Sequence, residues 1–327
     1  ILRGLAQYGL GLAMVLQRAV GGNTTYFMGE INNTGWPLYF PIVYFIKETL
    51  TLHILTFAAL FYGLWQLIKN KIYCWTKLHD FLRQNIAQVL MLAFIALYWY
   101  SSFRSILNIG VRHILPTFPF VFLLVSQQIS QWLASADIAK LARILKYAFV
   151  AILIFWQAIS VIKVYPSFLA YFNESIGGTT NGYKYVVDSN LDWGQDLKRL
   201  TNWITDYNGC ALSKSPQECA ASFCGSNCPI EFNQPINKIR LHYFGGGVPE
   251  YYLGDKFVFW WGEYSPMDII RPGGWLAVSA TFLQGGRGQL TPGFHDKAGY
   301  YNWLNVYEPI TTIGHSIFVY YIPPATK

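Results

Sequence analysis

The sequence predicts a multi-pass α-helical membrane protein that ends in an extracytoplasmic α/β domain. Three observations predict it. Hydrophobic residues make up 53% of the chain and charged residues 13%, where soluble domains carry about 25% charge. The long apolar runs lie before residue 165, and Gly, Asn, Asp and Pro become frequent after it. The basic residues collect in short loops between the apolar runs. A net charge of +7 can mark a nucleic-acid binder, but charge placed between apolar runs is a topology signal, and no nucleic-acid partner is expected.

Residues 1–48 read as an extracytoplasmic, interfacial segment. The chain opens on Ile1 without a cationic stretch, apolar core and small-residue cleavage site, so it reads as a fragment or processed product rather than one led by a signal peptide. Trp36-Pro37-Leu38-Tyr39-Phe40-Pro41 has the aromatic character of a helix at headgroup level, entering the first span from outside.

Residues 49–164 hold four expected spans, at 49–68, 86–103, 114–133 and 147–164. Each approaches the roughly 20 apolar residues that cross a hydrocarbon core, and soluble helices rarely lack a polar face for so long. Lys69, Lys71, Lys77 and Arg83 follow the first span against Asp80, and Lys140, Arg143 and Lys146 follow the third against Asp137. Both loops are cytoplasmic by the positive-inside bias. Residues 165–327 then lie outside, in a cell (inner) membrane protein surrounded by lipid.

Cysteine placement agrees. Cys74 falls in a cytoplasmic loop, and Cys210, Cys219, Cys224 and Cys228 fall together in the outer domain. In an oxidising compartment these four imply two disulfides, with three pairings open. Zinc is the rival reading, but the loop holds no histidine. Asn-X-Ser/Thr sequons at Asn23, Asn32 and Asn173 also fall outside.

In the outer domain, runs at 183–187, 238–244, 275–282 and 317–322 read as strands. Leu197, Leu200, Trp203 and Ile204 have helical spacing within 196–207, and shorter helices are expected near 248–253 and 300–306. Strand, helix and strand in succession indicate an α/β layer.

Several residues could carry chemistry. Lys47 and Glu48 sit at a membrane edge, where a charge is costly; the bland alternative is a snorkelling lysine paired with its neighbour. The outer loop 104–113 holds Arg104 and Arg112 and no acid, against the charge bias. A guanidinium there suits a lipid phosphate or pyrophosphate, although contact with ordinary headgroups is the simpler account. Pro116 and Pro119 follow and leave backbone carbonyls free. His53, inside the first span, is read as packed rather than as a ligand. Asp188-Ser189-Asn190-Leu191-Asp192-Trp193-Gly194-Gln195-Asp196 is the densest polar cluster. Its alternating oxygens begin like a calcium loop, but Trp193 stands where the turn glycine belongs and Arg199 where the closing acid belongs. A strand-to-helix turn with capping acids and a sugar or phosphate site at a strand end are the other readings. A divalent cation at Asp188, Asn190 and Asp192 stays open. No P-loop, G-x-S-x-G or H-E-x-x-H stretch occurs.

Four stretches together carry a resemblance. They are Gly29-Glu30 with Gly35-Trp36, Tyr39-Phe40-Pro41 and Lys47; Arg112-His113-Ile114-Leu115-Pro116-Thr117-Phe118-Pro119; Tyr171-Phe172-Asn173-Glu174 with Asn181-Gly182-Tyr183 and the string from Asp188 to Leu197; and Gly314-His315-Ser316-Ile317-Phe318-Val319-Tyr320. The combination resembles the C-terminal part of bacterial family 39 membrane glycosyltransferases, the dolichyl-phosphate-mannose–protein mannosyltransferase type with a GT-C fold. The resemblance implies sugar transfer outside the cytoplasm, from a polyprenyl-phosphate donor to a protein, lipid or glycan acceptor. It implies a catalytic aspartate in a loop upstream of this chain, so no base is assigned here. By motif position and charge, Arg112, Lys47 and His113 are the candidates for the donor phosphate. Glu30, Asp188, Asn190 and Asp192 are candidates for a substrate or ion loop. A transporter or flippase, and a non-catalytic anchor displaying a glycan-binding domain, are the competing readings.

Overall fold

A computed structural model of the protein describes residues 2–72, 75–135, 139–223 and 234–325. The chain divides into two compact units. The first takes residues 1–23, 34–168 and 172–178, and the second takes 24–33, 169–171 and 179–327.

The first unit is helical: α1 (Leu2–Gly21), α2 (Tyr39–Lys47), α3 (Leu50–Lys69), α4 (Trp75–Gln84), α5 (Ile86–Arg104), α6 (Phe118–Ala134) and α7 (Lys140–Val164). Three of these, α3, α5 and α7, are long and apolar enough to cross a membrane. The third expected span, at 114–133, is altered. Val111–Thr117 forms a 3-10 helix containing Pro116, and α6 follows with 17 residues. Pro116 and Pro119 carry no N–H to donate, so the regular helix starts late. Its length is roughly 26 Å at 1.5 Å per residue, against a hydrocarbon core of about 30 Å.

The last span begins at Lys140, ahead of the expected 147, so Lys140, Arg143 and Lys146 lie on a helix rather than in a loop. Lys146 Nζ donates to Trp132 O and Ser135 Oγ, each at 2.8 Å. The apolar faces of α3, α5 and α7 are largely uncovered, with Phe61 75% and Ile162 72% exposed. Apolar surface on this scale marks a contact face, here in keeping with association with a membrane. Helices α3 and α6 meet over the small buried set Ala59, Val125 and Ile129. His53 packs as read, stacked on Phe45 at 5.0 Å with its Nε2 2.9 Å from Phe45 O.

The second unit is an α/β layer. Its elements are β1 (Thr25–Phe27), β2 (Glu30–Asn32), α8 (Leu197–Ser213), α9 (Pro216–Phe223), β3 (Ile239–His242), α10 (Pro249–Leu253), β4 (Phe257–Phe259), α11 (Met267–Ile270), β5 (Gly274–Ser279), α12 (Ala280–Gly285), β6 (Gln289–Leu290), β7 (Thr311–Ile313) and β8 (Ile317–Ile322). The main sheet runs β4-β3-β5-β8-β7. Its β3, β4 and β5 are parallel, and β8 is antiparallel to both neighbours. The apolar face of α8, through Leu197, Leu200, Ile204 and Tyr207, packs with Leu241, Ala277 and Val319 of the sheet. That is the helical spacing read from the sequence, used to cover a sheet face.

Strands at 238–244 and 317–322 and the helix at 196–207 are present in substance. Three expectations need correction. The 183–187 run is no strand: a 3-10 helix covers Thr179–Lys184, and Val186 makes a single bridge to Phe27. The chain turns away at Asp188, whose φ is +54°. The 275–282 run splits, because β5 ends at Ser279 and α12 starts at Ala280. The helix expected at 300–306 is a 3-10 helix at Asn302–Val306.

Sheet β1-β2-β6 was not legible, because its strands have only 3, 3 and 2 residues. It brings 24–33 into this unit, through β2 pairing with β6. Cys210 and Cys219 form a disulfide that ties α8 to α9. Cys74, Cys224 and Cys228 lie outside the described residues.

Candidate functional site

In the helical unit the sequence candidates gather around α2. Lys47 closes that helix and is 9% exposed, with its Nζ 4.4 Å from the centre of the Phe172 ring. Burial pushes the Lys47 ammonium down to about 7, opposed by the neighbouring Glu48 carboxylate. Burial likewise pushes Glu48 up to about 7, opposed by Lys47. The corner is held by Asn173, itself fully buried. Asn173 Nδ2 donates to Phe45 O at 2.5 Å and Glu48 O at 2.8 Å, and its N–H donates to Ile46 O at 2.9 Å. These bonds occupy the groups that would have to be free for Asn173 to serve as a sequon. Glu174 accepts from Ser160 Oγ at 2.8 Å and Trp156 Nε1 at 3.3 Å, both on α7. The Phe172-Asn173-Glu174 stretch is therefore the clamp on the Lys47 corner. A desolvated ammonium gains its charge back when an oxyanion approaches, which is the property a phosphate-binding lysine needs.

At the other end of α2, His113 stacks on Phe40 at 5.1 Å and lies 6.1 Å from Tyr98. Burial, and then the adjacent Arg112, hold the His113 imidazole below its ordinary pKa, so it is neutral at pH 7. Arg112 is exposed, with its Nε donating to Ile109 O at 3.1 Å. The loop is braced by Asn108, whose Oδ1 accepts from Trp36 N–H at 2.7 Å. A Cβ on Gly35 would stand 2.9 Å from that oxygen, which explains the glycine before Trp36. Phe40 and Lys47 are seven residues apart on α2, about 10 Å along the axis. Lys47 and the Arg112-His113 pair thus flank α2 from its two ends.

In the second unit, two of the stretches that carry the resemblance meet. The Asp188 N–H donates to Thr281 Oγ1 at 3.0 Å, and Asp188 O accepts from Leu191 and Asp192 N–H groups at 2.8 and 2.7 Å. Asn190 Nδ2 donates back to Val187 O at 3.3 Å. Asp192 and Asp196 are both fully buried. Asp196 stands at the N-cap position of α8 but makes no capping bond with its side chain. It accepts instead from Arg199 Nη1 at 2.6 Å and Ser316 Oγ at 2.7 Å. This corrects the expected capping role. The carboxylate ties α8 to the Gly314-His315-Ser316 turn between β7 and β8. In the sequence Arg199 stood out only as the residue in place of a calcium loop's closing acid, and Ser316 only as part of a motif; neither was assigned to Asp196.

Asp192 Oδ1 accepts from Gly194 N–H at 2.9 Å, and its Oδ2 is buried without a hydrogen bond. Ser279 and Ser316 stand near, but Ser279 Oγ accepts from Phe244 N–H and Ser316 donates to Asp196. Burial, reinforced by Asp196, pushes the Asp192 carboxyl up to about 7. Among the described residues no three His, Cys, Asp or Glu side chains converge as a metal set, so the cation considered at Asp188, Asn190 and Asp192 has no such ligand group. Glu30 is exposed and pairs with Phe27, which bridges Val186. It therefore stands two strand spacings, roughly 10 Å, from the run that leads into Asp188.

A pH dependence follows. A carboxyl whose folded-state pKa lies above its ordinary value favours folding when protonated. Its contribution is complete below about pH 4 and is lost as pH rises through about 7. The second unit should unfold at lower temperature at pH 8 than at pH 5. Asp192→Asn should shrink that difference, by up to about 3 kcal/mol between these two pH values. Thermal melts at the two pH values measure it, and an equal pH response in the variant would refute it.

Compared with protein-family models, curated proteins and solved structures, the chain matches none.

Proposed function

We propose that this chain is the C-terminal portion of a membrane glycosyltransferase. It would take a hexose from a polyprenyl-phosphate donor and pass it to a protein, lipid or glycan acceptor on the extracytoplasmic side of the cell membrane. In that reaction the acceptor oxygen bonds to the anomeric carbon while the bond from that carbon to the phosphate oxygen breaks. The lipid phosphate leaves with the electron pair, and the acceptor proton passes to a base that is not assigned among these residues. The enzyme must stabilise charge developing on the leaving phosphate.

The observation that carries the reading is Arg112. It is an exposed guanidinium on a 3-10 turn between two apolar helices, in a loop without an acid. Lys47, whose charge is suppressed by burial, adds a second basic group at the end of α2. The α/β unit would present or orient the acceptor. The test is transfer by the full-length gene product in membranes, with radiolabelled polyprenyl-phosphate sugars and an acceptor extract. Label in the acceptor fraction supports the proposal. A folded, intact protein that transfers from no donor would favour a transporter or a glycan-binding anchor.

Orientation has its own test. A membrane-impermeant thiol reagent applied to intact cells should miss Cys74 and, after reduction, should reach Cys210 and Cys219. Labelling of Cys74 alone would reverse the assigned sides.

A further inference from the structure

A groove of about 660 Å³ opens in the second unit, behind the turn from α12 into β6. Arg287, Gln289, Asn302 and Asn305 line it, with Gly288 and Gly299 between them. Its volume lies within the range of small-molecule sites, roughly 300–1,000 Å³, but its chemistry is unlike an apolar pocket. The lining brings together one guanidinium and three carboxamides, and it includes no carboxylate.

Both sides of the groove are set by local structure. Arg287 follows the end of α12, where Gly288 N–H donates to Gln284 O at 2.8 Å and Tyr301 N–H donates to Gly286 O at 3.2 Å. The Arg287 guanidinium stands beside the Tyr320 phenol, which is 1% exposed on β8, and opposes the effect of burial on that phenol. This places the cation beside the main sheet. Arg287 Nε is buried and has no hydrogen-bond partner, so the wall keeps an uncompensated donor. The glycines leave bare backbone between the polar side chains. A Cβ on Gly288 would stand 2.6 Å from Ile31 Cγ1. One on Gly299, whose φ is +75°, would stand 3.0 Å from Asn302 Nδ2.

We propose that this groove binds a sugar that carries an oxyanion, either a phosphate or a carboxylate. A guanidinium only donates and pairs best with two oxygens of one anion. Carboxamides both donate and accept, which matches the two-sided hydrogen bonding of ring hydroxyls. A ligand with an anionic group at one end and several hydroxyls beside it satisfies both kinds of lining residue. A neutral sugar leaves the guanidinium without its partner, and a bare anion leaves the amides without theirs. The inference rests on residues of the second unit alone and holds whether or not the helical unit transfers sugar.

The experiment is calorimetric titration of the full chain in nanodiscs of zwitterionic lipid. The probes are glucose 6-phosphate, glucuronate, glucose and inorganic phosphate. At least one charged sugar should bind, with glucose and inorganic phosphate weaker by about tenfold or more. Binding of only one charged sugar identifies the oxyanion. Arg287→Gln should weaken binding by about tenfold or more. Because Arg287 also stands beside Tyr320, Asn305→Leu is the second variant; it fills the groove without touching that contact and should weaken binding similarly at an unchanged unfolding temperature. The proposal is overturned if glucose or phosphate binds as tightly as the charged sugars. It is equally overturned if Asn305→Leu leaves binding unchanged, or if no probe binds at about 10 mM.

Discussion

Gly314→Ala is expected to destabilise the second unit by about 3 kcal/mol or more. The added Cβ would lie 2.0 Å from Asp196 Oδ1 and 2.2 Å from its Cγ. The backbone there has φ +57°, a region costing a non-glycine residue about 1–2 kcal/mol. Asp196 cannot retreat, because Arg199 and Ser316 hold its two oxygens. Moving it would leave a buried carboxylate without partners, the more expensive outcome. A domain stable by about 5–15 kcal/mol loses a large share at one position. Gly293 provides the control: its φ is +83°, but nothing lies within 4 Å of its Cβ position, so Gly293→Ala should cost only about 1 kcal/mol. Protease resistance and thermal unfolding of the two variants separate clash from backbone strain. Equal losses would mean that the packing of Asp196 under the Gly314 turn contributes nothing.

Arg112→Ala should lower sugar transfer by about 100-fold or more, the usual scale for removing one group that stabilises transition-state charge. Arg112→Lys should recover only part, because an ammonium keeps the charge but loses the planar pair of donors. The side chain is exposed, and the bond from its Nε goes to Ile109 in its own loop. The variants should therefore remain folded, with an unchanged unfolding temperature. Initial rates in membranes against the wild-type protein decide the matter. Transfer that survives the alanine substitution removes Arg112 from the donor site and leaves Lys47 and His113 as the remaining candidates.

What could be read from residues alone follows from periodicity and solvent. The spacing of Leu197, Leu200 and Ile204 located α8, and the continuous apolar run ending at Ile322 located β8. Both signals survive because burial against a sheet imposes them directly. Glycine and proline were informative only in part. Pro116 and Pro119 were noticed, but the extent to which they would delay α6 depended on the 3-10 turn before it. The strand expected at 183–187 failed because two buried valines need not have a neighbouring strand to pair with.

Within the candidate sites, the sequence singled out Lys47, Arg112, Asp188 and Asp192, and several of their companions lay in the same quoted stretches, but which residue stands beside which was not legible. Phe172, Asn173 and Glu174 reach the Lys47 corner from more than 120 positions away. Ser316 reaches Asp196 across a separation of 120. The polar groove at Arg287 left no sequence signature, because carboxamides spaced irregularly through turns resemble any surface loop.

Composition and apolar run length determined that the chain has helices long and apolar enough to cross a membrane, followed by an α/β unit, because lipid and a sheet-covered core each filter residues one position at a time. The tertiary structure decided which charges are buried, which partners neutralise them, and where backbone must be glycine. Those properties depend on what approaches from distant parts of the chain, and the energy of a buried charge is set by its surroundings rather than by its own identity.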